Sequence, residues 1–123
     1  MHVIINNSSM QPIYEQIVSQ IKASIINNEL KEESMLPSVR SLAKELKVSA
    51  LTVKKAYDAL EAEGFINTVH GKGSFITRAS HGLMLEEKRK EVESDLEMAI
   101  QKGRICGMSD MELTELFQII LED

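Results

Sequence analysis

The chain has 123 residues, enough for one domain or for a small domain with an appendage. Hydrophobic residues make up 43% and charged residues 27%, an ordinary balance for a soluble globular chain, and no apolar run approaches the ~20 residues that span a bilayer. The net charge of −5 would argue against nucleic acid if it were evenly spread, and it is not.

Residues 1–78 hold nine Lys or Arg against eight Asp or Glu, whereas residues 79–123 hold five against eleven. Within residues 38–55 the basic residues are Arg40, Lys44, Lys47, Lys54 and Lys55, opposed only by Glu45, a local charge of +4. Local charge is what meets a polyanion. The N-terminus "MHVIINNSSMQP" has no basic region ahead of an apolar core, so a signal peptide is not expected. One cysteine, Cys106, allows no internal disulfide, and three scattered histidines add no metal-ligand pattern. The expectation is a cytoplasmic protein with no metal, no cofactor and no membrane contact.

In chain order, residues 1–10 read as a short arm, β-like at "HVII". Pro12 suits the first position of a helix over roughly 11–27, with Tyr14, Val18, Ile21 and Ile25 at helical spacing and Ile13 and Ile17 beside them. "LKEESMLP" reads as a connection. Ser38 is placed to cap a second helix, whose apolar face is Val39, Leu42, Ala43 and Leu46. "LKV" at 46–48 fits a tight turn. Ser49 then caps a third helix with Val53, Ala56, Tyr57 and Leu60 on one face and Gly64 at its end. "FINTV" and "SFIT" are strand-like, and "HGKG" between them supplies a hairpin turn. "RASHG" (78–82) reads as a linker. A long helix over roughly 83–102 follows, with Gly103 as its cap, and "SDME" (109–112) is a capping box that opens a last helix.

Two short helices joined by a turn of roughly three or four residues make a helix-turn-helix, whose second helix enters the major groove N-terminus first. Here that helix begins at Ser49. With its apolar stripe turned inward, Leu51, Lys54, Lys55 and Asp58 face out. Lys54 and Lys55 can neutralise phosphates or reach guanine acceptors, Ser49 and Thr52 can donate to phosphates or bases, and Leu51 can meet a thymine methyl. His70, Gly71, Lys72 and Gly73 form a narrow basic turn suited to lie in or beside a minor groove. The expected fold is therefore mainly α with a small β-hairpin wing. A winged helix-turn-helix domain occupies 1–78, with its recognition helix at 49–63 and its wing at 65–77, and a two-helix dimerisation tail occupies 79–123.

The segment "LPSVRSLAKELKVSALTVKKAYDALEAEGFINTVHGKGSFI" resembles the DNA-binding signature of the GntR family of bacterial transcription regulators. The resemblance covers roughly residues 11–77, and "LPSVRSLA", "VS..TV..AY..LE.EGF" and "GKGSF" carry it. It implies a winged helix-turn-helix and DNA contacts at Arg40, Ser49, Thr52, Lys54, His70 and Gly71, with Lys72 and Gly73 completing the wing. Many members carry Arg after the "VS" or "VT" pair, where it reads guanine; Ala50 stands there in this chain. The DNA-binding role is expected to hold, and the bases read are left open. The short tail is similar to the YtrA-type branch, whose members dimerise through two helices and often control transporter operons.

A physical argument agrees with a homodimer. Two amphipathic helices in about 45 residues cannot enclose a core alone. A second copy would cover Leu85, Val92, Leu96, Ala99, Leu113, Leu116, Phe117 and Ile120, and a two-fold pair would read half-sites about one helical turn, ~34 Å, apart. The tail leaves little room for a pocket of the usual ~300–1,000 Å³, so a small-molecule effector would sit at the dimer interface or between tail and winged module.

Blander readings exist for several of these residues. Arg40, Lys54 and Lys55 can be solvated surface charges. Tyr57 and Phe65 belong to the core, His2 and His81 to the solvent, and Cys106 to an ordinary helix end. The acidic run "EEKRKEVESDLE" is a solvated face that would also keep the tail off DNA. The leading expectation is a homodimeric repressor of double-stranded operator DNA with an inverted repeat. A winged-helix protein-docking module is the alternative. No nucleophile, paired catalytic carboxylates or phosphate loop points to an enzyme.

Overall fold

The computed structural model describes all residues, Met1–Asp123. The elements form two compact units, Met1–Glu86 and Glu87–Asp123.

In the first unit, α1 (Ile13–Ile26) buries Ile17, Ile21 and Ile25. The deep stripe is thus shifted from the expected one, and Tyr14 and Val18 lie at its half-buried flank. Pro12 is the N-cap and not the first helical residue, because its ψ of 147° is extended. The N-terminal arm does not form the expected β structure. Its edge groups are taken up by two side chains of α1 instead. Gln20 accepts from the Ile4 N–H at 2.8 Å and donates to the Ile4 carbonyl at 2.6 Å. Gln16 does the same to Asn6 at 2.9 and 3.0 Å. These i, i+4 amides hold Val3 in the core.

α2 (Val39–Leu46) and α3 (Ala50–Ala62) start where serines can satisfy their free N–H groups. Ser38 accepts from the Ser41 N–H and Ser49 from the Thr52 N–H, each at 3.1 Å. Between them Lys47 adopts a left-handed φ of 59°. α3 packs on both α1 and α2. Leu42, Val53, Ala56 and Leu60 are almost fully removed from water, each such leucine or valine worth about 1.5–3 kcal/mol. Phe65 and Tyr57 lie in this core, as expected.

β1 (Ile66–Val69) and β2 (Gly73–Ile76) pair antiparallel, with Ile66 opposite Ile76 and Val69 opposite Gly73. The connecting loop is His70–Lys72; Gly73, expected in the turn, opens β2. The segment before α2 is more than a connection. Met35 bridges Phe75, the Leu36 N–H donates to the Ser74 carbonyl at 2.8 Å, and the Ile76 N–H donates to the Ser34 carbonyl at 2.9 Å. The hairpin's inner edge is thereby covered, which protects it from pairing with other chains.

α4 runs Ser80–Ile105. The expected linker at 78–82 is therefore helical from Ser80 onward, because Ser80 and Met84 are buried in the first unit at 1% and 3% exposure. His81, expected in solvent, is half-buried with its Nδ1 3.4 Å from the Ile25 carbonyl. The helix also passes through Gly103, its expected cap. It is closed off just past Ile105 by Gly107, whose φ of +85° is left-handed, while the Met108 N–H returns to the Gly103 carbonyl at 2.9 Å. Gly103 is buried because α5 (Asp110–Glu122) approaches there: a Cβ would lie 2.5 Å from Leu113 Cδ2. Ser109 and Glu112 form both halves of the capping box at 3.1 Å. No helix is long and apolar enough to cross a membrane.

Candidate nucleic-acid interface

The turn at Lys47 and the Ser49 cap fix where α3 begins, and its buried stripe fixes which face it shows. Leu51 is 78% exposed and sets an apolar side chain on the open face of α3. Lys54, Lys55 and Asp58 share the exposed side with it.

At the start of α3, the Ser49 and Thr52 hydroxyls lie 2.8 Å apart. Ser49 also accepts the Thr52 N–H. One hydroxyl of the pair donates to the other, so one O–H remains to donate outward, beside the free N–H groups of the helix start.

The two lysines differ. Lys54 Nζ is 2.8 Å from Asp58 Oδ2, one helical turn away. That hydrogen bond, with the Asp58 charge behind it, raises the Lys54 pKa and keeps it cationic. Lys55 Nζ sits over the Tyr14 ring, 4.0 Å from its centre, and so ties α3 to α1 while its side chain stays exposed. The Tyr14 phenol donates to Glu15 Oε1 at 3.1 Å, and its pKa is raised chiefly by that bond.

Arg40 is exposed on α2, the helix before the turn, and like Lys44 and Lys72 it takes part in none of the chain's ion pairs. At the wing tip His70, Gly71 and Lys72 are exposed. Gly71 has φ +77° and Gly73 φ +128°, conformations that side chains resist, and the Lys72 N–H closes the loop onto the Val69 carbonyl at 2.9 Å. Gly73 itself is half-buried against Met35. The first unit thus carries Arg40 on α2, the exposed α3 face and the wing, with α3 packed against both α2 and β1.

Three features went unread in the sequence: the hydrogen bond that Glu61 Oε2 accepts from the Thr68 N–H of β1, the Lys55–Tyr14 stack and the Lys54–Asp58 pair. Only the last had a signal, its i, i+4 spacing. The expected dimerisation residues lie elsewhere. Leu85, the last such residue before Glu86, is exposed beside buried Met84. In the second unit Val92, Leu96, Leu116, Phe117 and Ile120 are exposed, Ala99 is exposed and Leu113 is half-buried against Gly103.

Comparison with known proteins fits this geometry. Residues 13–76 match the family described as "Bacterial regulatory proteins, gntR family". The HTH-type transcriptional repressor YtrA of Bacillus subtilis is 34% identical over 119 residues, covering 97% of this chain and 92% of that protein. The crystal structure of a transcriptional regulator from Oenococcus oeni superposes with a TM-score of 0.81 at 31% identity, covering 95% and 97% of the two chains. The DNA-binding domain of AraR in complex with operator ORX1 superposes with a TM-score of 0.56 at 25% identity over 63% of this chain and 96% of that one. This chain belongs to the GntR family of bacterial regulatory proteins, and it is a DNA-binding transcription regulator with a winged helix-turn-helix, not an enzyme.

Proposed function

We propose that the chain is a cytoplasmic homodimeric repressor that occupies an inverted-repeat operator overlapping a promoter. Each protomer reads one half-site with the exposed start of α3 and holds the flanking backbone with Arg40 and the wing. The observation that carries this reading is the exposed, basic and partly apolar face of α3, with Leu51 at its N-terminal end. Such a face suits a groove, where lysines meet phosphates or guanines and a leucine meets a thymine methyl. The named operators of AraR and the repressor function of YtrA support it by similarity.

The dimer is supported by the second unit. α5 buries none of its residues, and Val92, Leu96, Phe117 and Ile120 are all exposed. Apolar surface of this kind is stable in water when a second copy covers it.

The test is selection from a random duplex library, followed by a salt titration on the enriched sequences, with wild type run beside an Arg40→Ala, Lys54→Ala double variant. Enrichment of an inverted repeat that the variant fails to bind is the expected result. Salt-sensitive binding without enrichment would remove the operator reading. Absence of binding at low salt would favour docking to another protein instead.

A further inference from the structure

We propose that Asp58 is a specificity-determining residue, which holds the Lys54 ammonium so that this lysine favours neutral base edges over phosphates. The inference rests on the reading of α3 as the base-facing helix.

Lys54 and Lys55 are the only cations on α3, since the neutral Ala50 stands at its first position. Lys55 is held over the Tyr14 ring. Lys54 is therefore the α3 cation whose choice of partner matters most. Its Nζ lies 2.8 Å from Asp58 Oδ2, and both side chains are exposed, at 61% and 60%. Asp58 plays no part in the core. The Glu61 charge, one turn further along, adds to the negative field at Lys54.

An ammonium has three N–H donors. Asp58 takes one and leaves two. Guanine offers two neutral acceptors in the major groove, O6 and N7, which can accept those donors while Asp58 stays in place. A phosphate oxygen brings a full negative charge next to the Asp58 carboxylate. That like-charge approach is penalised, so Lys54 must either leave Asp58 or decline the phosphate. Sequence-independent binding comes from phosphate contacts. A carboxylate on the reading face therefore weakens non-specific binding more than specific binding, and it raises the ratio between them.

The experiment uses the full chain, wild type and Asp58→Asn, with two duplexes: the sequence enriched by wild type and a scrambled duplex of equal length. Affinity is measured against salt for each. Asp58→Asn is expected to bind the scrambled duplex about threefold to tenfold tighter, with its salt slope steeper by about one, and to lose a similar factor in discrimination. In a Lys54→Ala background the same substitution should leave discrimination where Lys54→Ala alone puts it. Equal tightening on both duplexes would reduce Asp58 to a generic negative charge and overturn the proposal, as would unchanged binding on both. Failure of wild type to enrich any sequence would overturn the operator reading and this inference with it. Enrichment by wild type with an unchanged ratio in Asp58→Asn would overturn the inference alone.

Discussion

Glu61 Oε2, in the last turn of α3, accepts a hydrogen bond of 2.7 Å from the backbone N–H of Thr68 in β1. β1 is the outer strand of the wing, because the Met35 segment covers β2 on the other side. Its edge would leave this N–H to solvent. α3 supplies the acceptor instead, so the wing and α3 are set relative to each other by a side chain and not by the turn alone.

Glu61→Ala should therefore free the wing without disturbing the core. The Thr68 amide is expected to lose protection in hydrogen exchange, and stability should fall by about 1 kcal/mol. Glu61→Gln keeps an acceptor oxygen and should restore most of the protection. DNA affinity should follow the same order. Equal exchange at Thr68 in all three proteins would mean that the bond does not hold the wing.

Tyr57 has a different task. Its hydroxyl donates to the Pro37 carbonyl at 2.7 Å, which ties α3 to the entry of α2. Tyr57→Phe leaves that carbonyl without its donor, at a cost of about 1–2 kcal/mol, and should lower the thermal midpoint by several degrees. Burial pushes the Tyr57 phenol well above the ordinary tyrosine value. A raised folded-state pKa means that the neutral phenol's stabilisation is fully present below pH ~10 and is lost as pH rises beyond it. An alkaline unfolding titration should thus show a steeper loss in wild type than in Tyr57→Phe. Parallel curves would assign the loss to other groups.

Most of the first unit was legible because local chemistry and packing agree there. Ser38, Ser49, Gly64 and the i, i+3, i+4 apolar faces of α2 and α3 each point to the same boundaries that the core enforces. The misreadings have physical causes. Ser80 and His81 look like linker residues, yet α4 starts there because Ser80 and Met84 have a place in the core. Gly103 looks like a cap, yet it serves the close approach of Leu113. The arm looks like a strand, but glutamine amides of α1 replace the strand partner. Within the candidate site, exposure of Leu51 followed from periodicity. The partners of Lys55 and Glu61 did not, since both lie on other elements and no spacing encodes them.

Gly103 gives a test of the second unit by itself. In a helix interior, Gly→Ala normally gains up to about 1 kcal/mol. Here the new methyl meets Leu113 Cδ2, the end of a side chain that can turn away. The two effects should nearly cancel for Gly103→Ala. Gly103→Leu cannot be accommodated in this way and should unseat α5, with a loss of helical signal and increased proteolysis near residues 105–110. A Gly103→Leu protein as resistant as wild type would show that α5 does not need this approach.

The apolar surface of α5 supplies the remaining prediction. Phe117 and Ile120 lie on one face, three residues apart, and both are exposed. Neither residue is buried, so with Phe117→Asp and Ile120→Asp each protomer should stay folded. Sedimentation should change from dimer to monomer. With two half-sites no longer linked, operator affinity should drop by about 100-fold or more, while a single half-site is bound as before. If the variant sediments as wild type does, another surface joins the protomers; if it becomes monomeric yet keeps full operator affinity, the two-half-site geometry is wrong and one winged module suffices.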